Sequence, residues 1–336
     1  MTKAGLTITA VDRSKTYGQT VTFDGTTPST DFTVAGLLNS DTVSSISLVS
    51  SGTGAAVTAP VSGSPYVITP SAAVGSGLTN YTITYVTGLL TVNPATLTIT
   101  AANRNKTYGQ TVTFDETNPS VDFSVAGLLN TDTVGSVSLT SAGSVATAQV
   151  TGSPYPITPS AASGTGLGNY SINYVTGNLT VNPAALTVVA QPQSKLYGAA
   201  DPVLTYTASG FQLSDTEAGV LSGALSRVAG EGVGSYAITQ GTLAANANYS
   251  INFTGSTLTI GATAPTILSL AVNDPTHVVI TWSAISNATY RVQARSDLGS
   301  NWVDLVPDVT ATGSTATLVD NPNGAGHRFY RLLVLP

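Results

Sequence analysis

The sequence contains no cysteine, which excludes a disulfide scaffold, a thiolate metal site and a cysteine nucleophile. Charge is also scarce. Asp, Glu, Lys and Arg make up 8% of the 336 residues, against about 25% in an ordinary soluble domain. The four Lys and seven Arg are scattered along the chain rather than clustered. That spacing argues against nucleic acid or an anionic membrane surface as a partner, because both require grouped cations. Only two histidines occur, His277 and His327, and neither lies in an HxH or HExxH spacing. No apolar run approaches the roughly 20 residues of a membrane-spanning helix. Met1-Thr2-Lys3 runs almost directly into a strand pattern at Leu6, leaving no room for an export leader.

What is present is apolar content and repetition. Hydrophobic residues reach 42%, enough for folded cores, and Thr, Ser, Gly and Asn cover the surface that Lys and Glu normally occupy. A polar but uncharged surface of this kind fits an exported protein. Met1 then reads as the start of a segment cut from a longer chain.

The segment LTITAVDRSKTYGQTVTFDGTTPSTDFTVAGLLNSDTV from Leu6 returns as LTITAANRNKTYGQTVTFDETNPSVDFSVAGLLNTDTV from Leu97. The Tyr-Gly pairs at Tyr17 and Tyr108 stand 91 residues apart. A diverged third copy begins at Leu186, with SKLYG at Ser194–Gly198 and NYSINFTGSTLTI at Asn248–Ile260. Within each copy apolar and polar residues alternate, as in Leu6/Ile8/Ala10, Tyr81/Ile83/Tyr85 and Leu90/Val92, the signature of half-buried strands. Six or seven such runs in about 90 residues predict a seven-strand, two-sheet sandwich. Its core should hold Ile8, Tyr85 and Val92, with counterparts Ile99, Tyr174 and Val181.

The connections Asn93-Pro94-Ala95 and Asn182-Pro183-Ala184 are short and contain proline, which fixes φ and holds the preceding residue extended. A flexible spacer would be longer and richer in Gly and Ser. The expected fold class is therefore all-β: tandem immunoglobulin-like β-sandwiches in an extended rod. The expected divisions are residues 1–94, 95–183 and 184–261 for the repeats and 262–336 for a different C-terminal sandwich. The last part holds both tryptophans, Trp282 and Trp302, and six strand runs. One reading of six strands is an open edge, with Met1–Gly5 as a donor strand for filament growth; the favoured reading is that Pro336 and the polar loops blunt that edge and the domain simply ends.

The repeats resemble the MBG domain of the YGX type, a bacterial repeat of surface and secreted proteins. The resemblance rests on Tyr17-Gly18-Gln19, Tyr108-Gly109-Gln110 and Tyr197-Gly198-Ala199, on the Asp-Thr pairs at Asp41, Asp132 and Asp215, and on the closing Asn-Tyr and Leu-Thr-Val elements. The first two copies differ by a longer loop before Asp31 and Asp122. The tail, from Trp282 through NWVDL to RFYRLLVLP, is similar to fibronectin-III-like domains. Neither resemblance implies a catalytic site or a cofactor. Together they imply a bacterial cell-surface or extracellular location, with partners among neighbouring copies or domains of the same surface protein.

Several residues invite a sharper chemistry. Asp24, Asp31 and Asp41, with Asp115, Asp122 and Asp132, could pair as hydrolytic carboxylates, but their recurrence in tandem points to turns, since an enzyme needs one site. His277 and His327 with Asp274 or Asp320 fall short of a zinc ligand set. Calcium at the joints would draw on Asp12, Asn93 and Asn103, without a DxDxDG-like loop. Lys15, Lys106 and Lys195 precede each Tyr-Gly pair. They could form Lys–Asn isopeptide bonds if buried beside an acid. The reading favoured here is a solvated lysine guarding an edge strand. Asn80, Asn105, Asn169, Asn178, Asn248 and Asn287 stand in Asn-X-Ser/Thr triplets, which Thr-rich strands generate by composition.

The function expected is a non-catalytic structural spacer, stalk or fibre segment. The alternative is an adhesin module in which exposed Tyr, Asn and Trp302 contact glycan or protein.

Overall fold

The computed structural model describes residues 2–274, 276–322 and 327–335. Strand accounts for 53% of the chain and helix for 6%, which places it in the all-β class. It divides into two compact units, Met1–Asn182 and Pro183–Pro336. The terminal residues Met1 and Pro336, on which expectations about the chain ends partly rested, lie outside the described residues.

The first unit holds two repeats built alike. In the first, β1 (Ala4–Ala10), β2 (Arg13–Thr16), β3 (Phe32–Ala35), β4 (Thr42–Ser50), β5 (Tyr66–Ser76), β6 (Tyr81–Val86) and β7 (Gly88–Asn93) form two sheets, β3-β1-β6 and β2-β7-β5-β4. The second repeats the plan with β8 (Ala95–Ala101), β9 (Arg104–Thr107), β10 (Phe123–Ala126), β11 (Thr133–Thr140), β12 (Tyr155–Thr165), β13 (Tyr170–Val175) and β14 (Gly177–Asn182). Its sheets are β10-β8-β13 and β11-β12-β14-β9. The seven-strand sandwich read from the sequence is present in both.

Alternation does the work. In β1, Leu6, Ile8 and Ala10 point inward while Thr7 and Thr9 face outward, and β7 buries Leu90 and Val92 in the same manner. β1 lies in the middle of its sheet, antiparallel to β3 and parallel to β6. Ala4 already pairs with Tyr81 and Gly5 with Thr82. The N-terminal segment is therefore committed from residue 4 onward. The reading of it as a free donor strand is corrected.

Ile8, Ile99, Val92 and Val181 are buried as expected, but Tyr85 is not. Burial fades along β6, an edge strand: Tyr81 is buried, Ile83 half-buried and Tyr85 exposed. The Tyr85 hydroxyl instead accepts a hydrogen bond from the Ala73 N–H of β5 at 2.9 Å, bridging the two sheets at their rim. Tyr174, half-buried, makes the same bond to Ala162 N–H at 2.9 Å. The tyrosine that fills the core is the first residue of the strand, Tyr81 or Tyr170.

In the second unit the third repeat keeps the central strand Ala184–Ala190 between Tyr206–Ser209 and Tyr249–Thr254. Its other sheet carries Gln193–Leu196 parallel to Ser256–Gly261. A one-turn helix, Glu217–Val220, and a short ladder between Leu221–Ser222 and Ala244–Ala245 are features that the first two repeats lack. The tail has two three-stranded sheets. Ile267–Asp274, His277–Ser283 and Thr315–Asp320 form one; Val303–Thr310, Thr289–Arg295 and Phe329–Val334 form the other. Between them Trp282 and Tyr290 are almost wholly buried, rings edge to face at 6.0 Å. Val233 and Ala262 pack against this core from the third repeat and its connection.

Candidate functional site: the joint between repeats

Within the first unit a single residue, Pro94, separates β7 from β8. The sequence makes this junction by ending one strand at Asn93 and starting the next at Ala95, leaving no room for a flexible link. The end of the first repeat therefore presses directly on the second. One apolar cluster runs through both, joining Tyr17, Ile68, Leu90 and Val92 to Leu97, Ile99, Phe123 and Tyr170.

The contact is built from Tyr17-Gly18 on one side and Leu129, Asn130, Asp132, Asn169 and Tyr170 on the other. Tyr17 N–H donates to the Asn93 carbonyl at 2.9 Å, tying the turn to the end of β7. Gly18 stands at φ +85°, so the chain can reverse there at little cost. A Cβ on Gly18 would lie 2.5 Å from Leu129 Cδ1, so the backbone itself meets the leucine. The ring of Tyr17, 4% exposed, packs edge to face on Tyr170 at 5.5 Å. Its hydroxyl donates to Asp132 Oδ2 at 2.8 Å, and Tyr170 donates to the same oxygen at 2.8 Å. Asn169 Oδ1 accepts from Val61 N–H at 3.0 Å. Burial beside a carboxylate pushes Tyr170 up to about 12, and burial raises Tyr17 as well. Both phenols therefore stay protonated donors at neutral pH.

Lys15 stands two residues before Tyr17 and Lys106 two before Tyr108, and for these two lysines the structure overturns the solvated reading. Lys15 and Lys106 are 5% and 4% exposed. β2 shows the burial pattern of a strand with one face inward, and Lys15 is its inward residue. Lys15 Nζ donates to the Gln19 carbonyl at 2.9 Å and to the Ala56 carbonyl, and Lys106 Nζ to those of Gln110 at 2.8 Å and Val145. The ammonium thus satisfies loop carbonyls that no strand pairs. Burial holds both lysines below their ordinary pKa. These partners are main-chain carbonyls, neither carboxamide nor carboxylate, so the isopeptide reading finds no reacting group at Lys15 or Lys106. Lys195 differs: it bonds Asp201 and Glu231 at 2.6 Å each. Arg227 joins the same two carboxylates, and the paired cations hold Asp201 at about 2.

The remaining candidates serve local structure. Asp24 and Asp115 accept from the N–H and hydroxyl of Thr26 and Thr117, closing turns. Asp31 and Asp122 are buried, accept from the N–H of Asp24 and Asp115 at 2.7 Å, and pair with Arg13 and Arg104. Asp12 and Asn103 accept from the N–H groups of Leu89 and Asn178 at 2.7 and 2.8 Å, while Asn93 contributes a main-chain carbonyl. His277 Nδ1 lies 3.0 Å from Asp274, whereas Asp320 is taken by Arg328 and Tyr330. His327 is exposed. Among the described residues no three His, Asp or Glu side chains gather as a metal site. Over the ring of Trp302 lie the guanidinium groups of Arg295 and Arg331, at 4.4 and 4.5 Å.

Fold and joint define a class of protein: tandem β-sandwich repeats, the first two docked through a tyrosine–glycine end. The chain matches the MBG domain (YGX type) over residues 6–91, 97–180 and 186–259, and it belongs to that family. The family is typical of bacterial surface proteins and is not a known catalytic family. A search of curated proteins found no match. Among the described residues no helix is long and apolar enough to cross a membrane.

Proposed function

We propose that the chain is a non-catalytic spacer or stalk segment of a bacterial surface protein, working outside the cell and ending in a fibronectin-III-like sandwich. The observation that carries this reading is the joint. A one-residue connection, a shared apolar core and a buried tyrosine–carboxylate bond turn two repeats into one stiff piece. Stiffness between modules is what a spacer requires and a soluble catalyst does not. The low charge and the roles of the carboxylates in turns and joints support the same reading. The tail supports it by enclosing the Trp282–Tyr290 pair between two small sheets.

Two measurements test it. Protease shaving of intact cells should release the repeats into the medium, and a protein cleaved only after lysis would refute the external location. On glycan and extracellular-protein arrays a spacer gives background signal, whereas saturable micromolar binding would instead support an adhesin module.

A further inference from the structure

The upstream face of the first repeat reproduces, position by position, the surface that receives Tyr17 on the second. Leu38-Asn39-Ser40-Asp41 corresponds to Leu129-Asn130-Thr131-Asp132, and Asn80-Tyr81 to Asn169-Tyr170. The conformations agree too. Asn39 and Asn130 hold φ of 56° and 55°. The Tyr81 hydroxyl accepts from Leu38 N–H at 2.8 Å and donates to Asp41 at 2.9 Å. Tyr170 does the same with Leu129 at 2.9 Å and Asp132 at 2.8 Å. What differs is the covering. Leu129 packs into the core that the two repeats share, whereas Leu38 is 54% exposed. A cavity of about 440 Å³ opens beside it, with Thr2, Lys3, Leu38, Asn39, Asp41 and Tyr81 among its walls.

We propose that this face is a docking site for the Tyr-Gly end of another YGX-type repeat, joined ahead of Ala4 as the first repeat is joined ahead of Ala95. The filled counterpart within the same chain identifies the occupant. Asp132 accepts a second phenol beside its own Tyr170, Asn169 takes a main-chain N–H, and Leu129 meets a glycine backbone. Asp41, Asn80 and Leu38 offer the same three functions in the same shape. The open face already holds its docked conformation, so little ordering cost remains on binding. Thr2 and Lys3 stand at the mouth of the cavity, where Asn93 and Pro94 enter the filled joint. A one-residue connection supplies the incoming end at high effective concentration, which favours a repeat in the same chain over a separate copy. The inference rests on the docked joint alone, so the stalk role and the external location could each fail without touching it.

The absence of cysteine makes the test direct. Leu38→Cys places a single thiol on the face, and its maleimide labelling is timed in two proteins. One is the chain as it stands. The other carries residues 1–94 placed immediately before Ala4. Labelling is expected to be fast in the first and at least about tenfold slower in the second, because reaction there waits on opening of the joint. Tyr17→Ala in the added copy should restore fast labelling. Equal rates in both proteins, with the added repeat folded by amide exchange, would overturn the proposal. Slow labelling of the unextended chain that quickens on dilution would also overturn it, since a second copy would then be the occupant. A check without the thiol uses Asp41→Asn. It should lower the unfolding midpoint more in the extended protein than in the original, and equal shifts would count against docking.

Discussion

Tyr17 of the first repeat donates its phenolic proton to Asp132 of the second, 2.8 Å away across 115 positions of sequence. The same carboxylate oxygen receives Tyr170 of its own repeat. One buried acceptor thus links the end of one sandwich to the start of the next, and both donors keep their protons because their pKa values are raised. Sliding one repeat over the other would break a charge-assisted bond and expose the Tyr17 ring together.

Glycine at the joint is expected to matter more than the same glycine elsewhere. Gly18 and Gly198 share left-handed φ values of +85° and +80°. A side chain at Gly18 meets Leu129, whereas nothing lies within 4 Å of one at Gly198. Gly198→Ala should cost only the backbone penalty, about 1 kcal/mol. Gly18→Ala should cost about 1 kcal/mol more, since Leu129 has to move aside. Denaturant midpoints measure both, and equal losses would show that the contact with Leu129 contributes little.

At alkaline pH the buried lysines and the buried Tyr170 should pull stability in opposite directions. Lys15 and Lys106 are held below 10.5 in the fold, so between their lowered values and 10.5 the unfolded chain binds more protons and stability rises with pH. For Tyr170 the sign reverses. Its pKa rises from 10 to about 12, so from pH 10 to 12 the folded state binds more protons and stability falls. Denaturant titrations across pH 7–12, with phenolate absorbance followed in parallel, check the two slopes. A Tyr170→Phe variant that keeps the same fall in stability between pH 10 and 12 would contradict the second.

Lys15 is expected to be structural and chemically intact. Lys15→Met keeps the apolar stem but leaves the Gln19 carbonyl without its lysine donor, while the Ala56 carbonyl keeps the bond from Ala59 N–H, a loss of about 1–3 kcal/mol. Intact-protein mass should equal that of the unmodified chain. A deficit of one ammonia per repeat would instead reveal isopeptide bonds.

Tyr85 should behave as a rim residue. Tyr85→Phe removes the bond from Ala73 N–H at a cost of about 1 kcal/mol. Tyr290→Ala, at a site only 1% exposed, should cost about 3–5 kcal/mol. Similar losses for the two would place Tyr85 in the core after all.

The strands, their number per repeat and the inward residues Ile8, Leu90 and Val92 were legible because period-two alternation reports directly on which face is buried. Tyr85 misled for a reason that alternation cannot carry. Parity gives the face of a strand, but not where along an edge strand the opposite sheet stops covering it. Lys15 misled because residue type outweighed position. Its strand parity already pointed inward, and only the fold supplies the carbonyls that make burial tolerable. The joint was half legible. Asn93-Pro94-Ala95 announced a short connection, and the recurring Tyr-Gly and Asp-Thr pairs marked its two sides. Nothing in one repeat says that the tyrosine of one copy reaches the aspartate of the next, since that pairing exists only between domains.

A double-mutant cycle on Tyr17→Phe and Asp132→Asn tests the docked joint most directly. The two substitutions should be non-additive, with a coupling of about 2 kcal/mol in unfolding free energy, as fits a buried hydrogen bond to a carboxylate. Additive losses, with coupling near zero, would mean that the repeats merely adjoin and would contradict the account.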